Sequence, residues 1–194
     1  MCMARPKKFD PEDAVHRAME VFWERGYAAA TPQELGERMG LGRGSLYNAF
    51  ESKQSLFERA LRHYHDHESP RLLALLRQPG PVKERLRALF HAVIQADVAD
   101  PARRGCLAIN TAIELAGRDA AAARLASAMF ARTEQHFLEL VEEGQRTGEL
   151  DASRDARELA SLLLNHLTGL RVLGKTAEDT TRLTRIVDAV LRFL

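Results

Sequence analysis

Between Leu41 and Phe50 the chain reads Leu-Gly-Arg-Gly-Ser-Leu-Tyr-Asn-Ala-Phe, and Arg43, Gly44, Ser45, Tyr47 and Asn48 are residue types that suit the edges and backbone of duplex DNA. An arginine donates two hydrogen bonds to guanine O6 and N7, a serine pairs with several base edges, and a glycine lets backbone approach a groove. Thr31 and Lys53 fall where helices are expected to begin. There, unpaired N–H groups and the helix dipole favour an anion such as phosphate, which fixes docking register without reading sequence. Tyr47 and Asn48 lie near the rim of the same stretch. Arg5, Lys7 and Lys8 form a basic arm that either adds counterion-releasing or minor-groove contacts, or is an ordinary solvated terminus.

A second candidate chemistry belongs to Cys106. It follows Arg103-Arg104-Gly105 at the expected start of a helix, and nearby cations and a helix N-terminus both favour the thiolate. If Lys175 approaches, its ammonium stabilises that thiolate, or its amine traps an oxidised sulfur. The alternative is a buried structural cysteine, since cysteine is among the most buried residue types. His63, His65 and His67, with Asp66 and Glu68, invite a metal reading because His63 and His67 are four apart on one helical face. An exposed helix uses the same residues more often, so no metal and no cofactor is expected.

The elements that must hold these residues are helices. Asp10-Pro11-Glu12-Asp13 reads as an N-cap, a proline at the first helical position and acids in the first turn, with Ala14, Ala18 and Phe22 at helical spacing and Gly26 as the stop. Thr31-Pro32-Gln33-Glu34 reads as a capping box that opens a short helix, and Gly40-Leu41-Gly42 breaks it. A third helix follows from about Arg43 to Phe50 and a fourth from near Ser52. Leu35, Met39, Leu41, Leu46 and Phe50 form an inner face with Ala18 and Phe22, which leaves the polar residues outside: the layout of a helix-turn-helix over residues 31–50.

Further on, Pro70 is expected to interrupt or restart a helix, and Pro79-Gly80-Pro81 to break the chain. Helices are then expected at Val82–Asp97, Arg104–Ala116, Asp119–Gln145, Arg154–Leu173 and Glu178–Phe193. The fold class is therefore all-α, with about nine helices: a three-helix DNA-binding domain at 1–52 and a helical effector-sensing and dimerisation domain at 53–194. Leu159, Leu162, Leu163, His166, Leu167, Leu170 and Leu173, with Leu183, Ile186, Val187, Val190 and Leu194, exceed what one buried face needs. They suit either a bundle between two subunits or an internal core. Phe90, Ile94, Met129, Phe130 and Phe137 suit core first and a ligand pocket second.

Composition bounds the rest. The net charge of +1 gives DNA binding no help, so paired heads and a few contacts must carry it. Two cysteines, Cys2 and Cys106, fit neither a disulfide framework nor zinc spacing. No apolar run approaches the roughly 20 residues that span a bilayer, and MCMARPKK lacks a signal peptide's apolar stretch, so a cytoplasmic protein with no membrane partner is expected. A Gly-rich phosphate loop, a Ser/His/Asp ordering and a purposeful carboxylate pair are all missing, which argues against an enzyme. An activator, an architectural protein or a helical interaction module remains as an alternative.

The run Gly42-Arg43-Gly44-Ser45-Leu46-Tyr47-Asn48-Ala49-Phe50-Glu51-Ser52-Lys53-Gln54-Ser55-Leu56-Phe57 resembles the signature of the TetR/AcrR family of regulators, and Phe22, Gly26, Tyr27, Thr31 and Leu35 extend the likeness to about residues 10–60. Asn48 stands where many relatives carry histidine. The resemblance implies an all-helical homodimer whose last two helices form a four-helix bundle, usually a repressor that leaves a palindromic operator when a small molecule enters the C-terminal domain. Gly105-Cys106-Leu107-Ala108-Ile109-Asn110, with Gly174-Lys175-Thr176, further resembles TetR-type repressors that respond to electrophiles or oxidants. Operator, regulated genes and effector identity do not follow from it.

Overall fold

The computed structural model describes residues 10–194, the side chains of Arg43 and Ser69 excepted. Arg5, Lys7, Lys8 and Cys2 therefore lie outside the described residues. All regular structure among the described residues is helical, as the composition predicts. It comprises α1 (Pro11–Ala29), α2 (Pro32–Met39), α3 (Arg43–Phe50), α4 (Lys53–Leu73), a 3₁₀ turn (Ala74–Arg77), α5 (Val82–Ala99), α6 (Leu107–Leu115), α7 (Ala120–Thr147), α8 (Ala156–Gly174) and α9 (Thr181–Phe193). Two compact units result, dividing between Tyr64 and His65.

In the first unit the caps form largely as the sequence implies. Asp10 Oδ1 accepts from the Glu12 N–H at 2.9 Å, and Thr31 Oγ1 accepts from the Glu34 N–H at 3.2 Å. The capping box is only half made, because Glu34 Oε1 accepts from Arg25 Nε at 3.1 Å instead of reaching back. Gly26 takes φ 78° and ψ 169°, which ends the regular part of α1 and leaves one further turn to Ala29. Leu35, Leu46, Phe50, Ala18 and Phe22 are fully buried, and Phe57 meets Phe22 edge-on at 4.9 Å. Leu41, expected in this inner layer, is only half-buried. It lies in the turn itself, where one side faces solvent.

The second unit packs α5, α7, α8 and α9 around one core that includes Leu86, Phe90, Phe137, Val141, Leu163 and Val187. Phe90, Ile94 and Phe137 are core residues, and Met129 is buried. The N-terminus of α5 has no cap of its own; Glu149, from the turn after α7, accepts from the N–H groups of Val82 at 2.6 Å and Lys83 at 2.8 Å. A carboxylate there also complements the helix dipole.

Two expectations are corrected. Pro70 does not interrupt α4, which continues to Leu73; a proline one turn from a helix end removes a single ladder bond, and the backbone tightens only afterwards, into the 3₁₀ turn. The helix after Asp100-Pro101 starts at Leu107 and not at Arg104. Arg103 at φ 50° and Gly105 at φ 65° are left-handed, and the carbonyls there face side-chain donors instead of a following helical turn.

His166 is buried with its ring edge-on to Phe90 at 5.0 Å, and its Nε2 makes no hydrogen bond. Burial lowers its pKa from the ordinary 6.5, so the folded chain holds it neutral. An unfolded chain binds that proton near 6.5, so stability is complete above this value and declines below it, by at most about 1.4 kcal/mol per pH unit. Urea midpoints at pH 7.5 and 5.0 check this: wild type is expected to lose stability, and His166→Leu to lose less.

Candidate nucleic-acid interface

The turn between α2 and α3 depends on close backbone approach. Gly40 ends α2 in the left-handed conformation, φ 69°, which glycine adopts without strain. The Leu41 N–H donates to Gly36 O at 2.8 Å, and a Cβ on Gly36 would meet Leu41 O at 2.7 Å. Any larger residue at position 36 therefore pushes α2 and the turn apart. The sequence reading missed Gly36, although a glycine four residues before the breaking Gly40 is the signal that marks it.

Helix α3 buries Leu46 and Phe50, and on the opposite side Gly44, Ser45 and Asn48 are exposed with Tyr47 half-buried. At 100° per residue these four cover a little under half of the helix circumference, which brings them together as one outward face. Gly42 precedes the helix without a side-chain cap, so the first-turn N–H groups carry no side-chain acceptor. Thr31 is exposed at the start of α2. Lys53 opens α4, donating to Ala28 O at 3.4 Å with its ammonium 4.6 Å from the Tyr27 ring centroid, and it is half-buried. An open hollow of about 640 Å³ lies beside the turn, lined by Thr31, Gln33, Gly36, Glu37 and Leu41 among others.

Charge around this face is sparse. From Asp10 to Tyr64 the sequence holds seven Lys and Arg against nine Asp and Glu, and several cations are already engaged: Arg17 with Asp13, Arg25 with Glu34, Arg38 with Glu24.

In the second unit, Cys106 is half-buried and forms the N-cap of α6. The loop before it is clamped by α8. Lys175 Nζ donates to Arg103 O at 3.0 Å and Arg104 O at 2.9 Å, and Arg171 Nη1 donates to Gly105 O at 3.3 Å. The same guanidinium nitrogen pairs with buried Asp97 Oδ1 at 2.6 Å. Burial raises the Asp97 carboxyl above its ordinary value, against the opposing pull of Arg171 and Lys175. Lys175 thus reaches the Cys106 loop, but its ammonium holds carbonyls. The part played by Asp97 and Arg171 escaped the sequence reading, because an aspartate and an arginine 74 residues apart in two helices carry no local signal.

The histidines of α4 diverge. His63 packs against His16, ring centroids 5.4 Å apart, whereas His65 Nε2 lies 2.9 Å from Arg132 Nη1. Among the described residues no group of three or more His, Cys, Asp or Glu side chains is set to hold a metal ion. Nor is any described helix long and apolar enough to cross a membrane.

Comparison with known proteins adds to this geometry. Residues 14–60 match the family described as bacterial regulatory proteins, tetR family, and residues 82–190 match the tetracyclin repressor-like C-terminal domain. The chain is 34% identical to the uncharacterized HTH-type transcriptional regulator YezE of Bacillus subtilis, over 99% of this chain and all of that one. It is 27% identical to the HTH-type transcriptional repressor ComR of Escherichia coli, over 97% of this chain and 90% of ComR. The solved structure of the TetR family transcriptional regulator CifR, a cysteine mutant with operator DNA, superposes with a TM-score of 0.86 at 34% identity, covering 97% of this chain and 98% of CifR. A helix-turn-helix with a polar outer face, matched over its length by one family and followed by that family's C-terminal domain, leads to one conclusion: the chain belongs to the TetR family of DNA-binding transcriptional regulators.

Proposed function

We propose that this regulator is a cytoplasmic homodimeric repressor that binds a palindromic operator through Thr31, Arg43, Gly44, Ser45, Tyr47, Asn48 and Lys53. The observation that carries this is the exposed face of Gly44, Ser45 and Asn48, backed by buried Leu46 and Phe50. Arg43, whose side chain is outside the described residues, would read guanine. Lys53 would hold phosphate. CifR, complexed in its solved structure with a 26-bp double-strand operator, supports duplex DNA as the partner, and ComR is a repressor by name. The dimer reading draws support from α8 and α9. Leu159, Leu163, His166, Leu170, Leu183, Val187 and Leu194 are internal core, but Leu162, Leu173, Ile186 and Val190 are only partly buried. Val172 and Phe193 are 42% and 57% exposed. A two-fold pair would set the reading helices about 34 Å apart, one turn of DNA.

Arg43→Ala is expected to relax base preference at one position of the site, at about 1–3 kcal/mol, whereas Lys53→Ala weakens binding to all sequences alike. Competition binding against single-base variants of a selected site separates the two.

For residues 53–194 the reading is a sensor joined to the dimer face. Release would follow either modification of Cys106 or entry of a small molecule. The clamped loop that places Cys106 at the start of α6 favours modification. Operator release by an oxidant is expected to disappear in Cys106→Ser; release that persists in that variant would remove the thiol from the mechanism.

A further inference from the structure

The surroundings of Lys53 are built by the segment that follows Gly26. Gly26 takes φ 78° and ψ 169°, a region that essentially only glycine enters, so the regular run of α1 breaks there and Tyr27 turns its ring onto α4. Tyr27 is half-buried, and two other rings fix its own: Phe57 of α4 at 4.9 Å, tilted by 55°, and Phe22 of α1 at 6.2 Å, stacked at 20°. Against this ring lies the Lys53 ammonium, 4.6 Å from the centroid, and it donates to the carbonyl of the next residue, Ala28, at 3.4 Å. The same few residues lead to Thr31, whose Oγ1 caps α2. Both groups expected to meet phosphate, Thr31 and Lys53, are thus tied to residues 27–31. Packing against Phe22 and Phe57 accounts for an apolar ring at position 27, but not for a cation beside it. A lysine is a compact charge on a flexible four-carbon stem, which loses rotamer freedom when it binds. A ring face that already holds the ammonium removes part of that cost. The carbonyl bond is long, and a phosphate oxygen, which makes a shorter charge-assisted bond, can take it over.

We propose that Tyr27 is a positioning residue for DNA binding: its ring face and the adjoining Ala28 carbonyl hold the Lys53 ammonium where a backbone phosphate meets the start of α4. Tyr27 acts through Lys53, and it acts equally on every sequence, because phosphate contacts carry no base information. Lys53 as a phosphate contact is the reading on which this role rests. The role needs the aromatic face and not the hydroxyl, so phenylalanine serves at position 27 and an aliphatic side chain does not.

The test is a double-mutant cycle in the full chain with Tyr27→Leu, Tyr27→Phe and Lys53→Ala, read as affinity for a site selected from a random duplex pool and for an unrelated duplex. Tyr27→Leu is expected to weaken binding to both duplexes about tenfold, from about threefold at each of two heads, while Tyr27→Phe stays within about twofold of wild type. In the Lys53→Ala background, Tyr27→Leu is expected to change affinity by less than about twofold, the mark of two residues that act as one. In the DNA-free chain the Lys53 methylene protons beside the ammonium are expected upfield of their usual position, shifted by the ring current. Tyr27→Phe keeps that shift and Tyr27→Leu abolishes it. A loss that persists undiminished in the Lys53→Ala background would make Tyr27 a packing residue only. Unchanged affinity in Tyr27→Leu, a phenylalanine variant as weak as the leucine one, or no ring-current shift in wild type would equally overturn the assignment. All of these leave wild-type binding intact; a wild type that binds no duplex would instead remove the reading of Lys53 and this role with it.

Discussion

Phe22→Ala is expected to unfold the DNA-binding unit of the full chain while the rest keeps its structure. Phe22 is 1% exposed and lies between the edge of Phe57 and the ring of Tyr27, 4.9 and 6.2 Å from its centroid. Truncating a buried phenylalanine to alanine costs about 3–5 kcal/mol, part lost transfer energy and part cavity. A unit of some sixty residues is stabilised by only about 3–10 kcal/mol in total. Most of that reserve disappears, and with it the inner layer of Leu35, Leu46 and Phe50 that orients α3. Hydrogen exchange read residue by residue checks the outcome: amides of α2 and α3 approach unfolded rates, those of α7 and α8 keep their protection, and DNA affinity falls at least a hundredfold. Native protection in α3 of the variant would mean that Phe22 does not hold the head together.

The second large effect is expected at Arg171. Its guanidinium is the charge partner of buried Asp97 and a donor to Gly105 O. Removing one member of a buried pair leaves the other charge without compensation, which typically costs about 3–5 kcal/mol. Arg171→Ala is therefore expected to lower the stability of the C-terminal unit by that amount and to free the loop before Cys106. The loss has a sign in pH. Without Arg171 the largest pull opposing burial is gone and only Lys175 remains against it, so the folded pKa of Asp97 rises further above 3.8; the variant is least penalised at low pH and loses stability as pH rises through that raised value. Denaturant unfolding at pH 5 and pH 8 reads both features. Asp97→Leu combined with Arg171→Met is expected to recover part of the loss, since an apolar pair leaves no charge buried.

How much was legible follows from how local each signal is. The caps at Asp10 and Thr31, the breaks at Gly26 and Gly40, and the buried Leu35, Leu46 and Phe50 all rest on neighbours within a few residues, and the helix-turn-helix could be read from them. The all-helical class was equally plain from spacing and composition. Pro70 misled, because the penalty of a proline depends on how much helix follows it. The α6 boundary misled because carbonyls of Arg103, Arg104 and Gly105 find donors on α8, some seventy residues later in the chain. Glu149 capping α5 and Asp97 pairing with Arg171 are likewise long-range, and no spacing rule announces them. For His166 the sequence leaves open a bundle between subunits or an internal core. Its place against Phe90 turned on which side of α8 meets α5, and a helical period alone does not choose between two apolar sides.

The salt dependence of DNA binding tests most directly whether residues 31–53 read DNA. The full chain would be offered a random duplex pool, and its affinity for the selected site followed from low to high salt. The logarithm of affinity is expected to fall linearly with the logarithm of salt, with a slope of about −0.9 for each phosphate neutralised, hence at least about −2 for two heads that each use Lys53. The selected site is expected to be palindromic. Failure to select any duplex, or an affinity indifferent to salt, would contradict it.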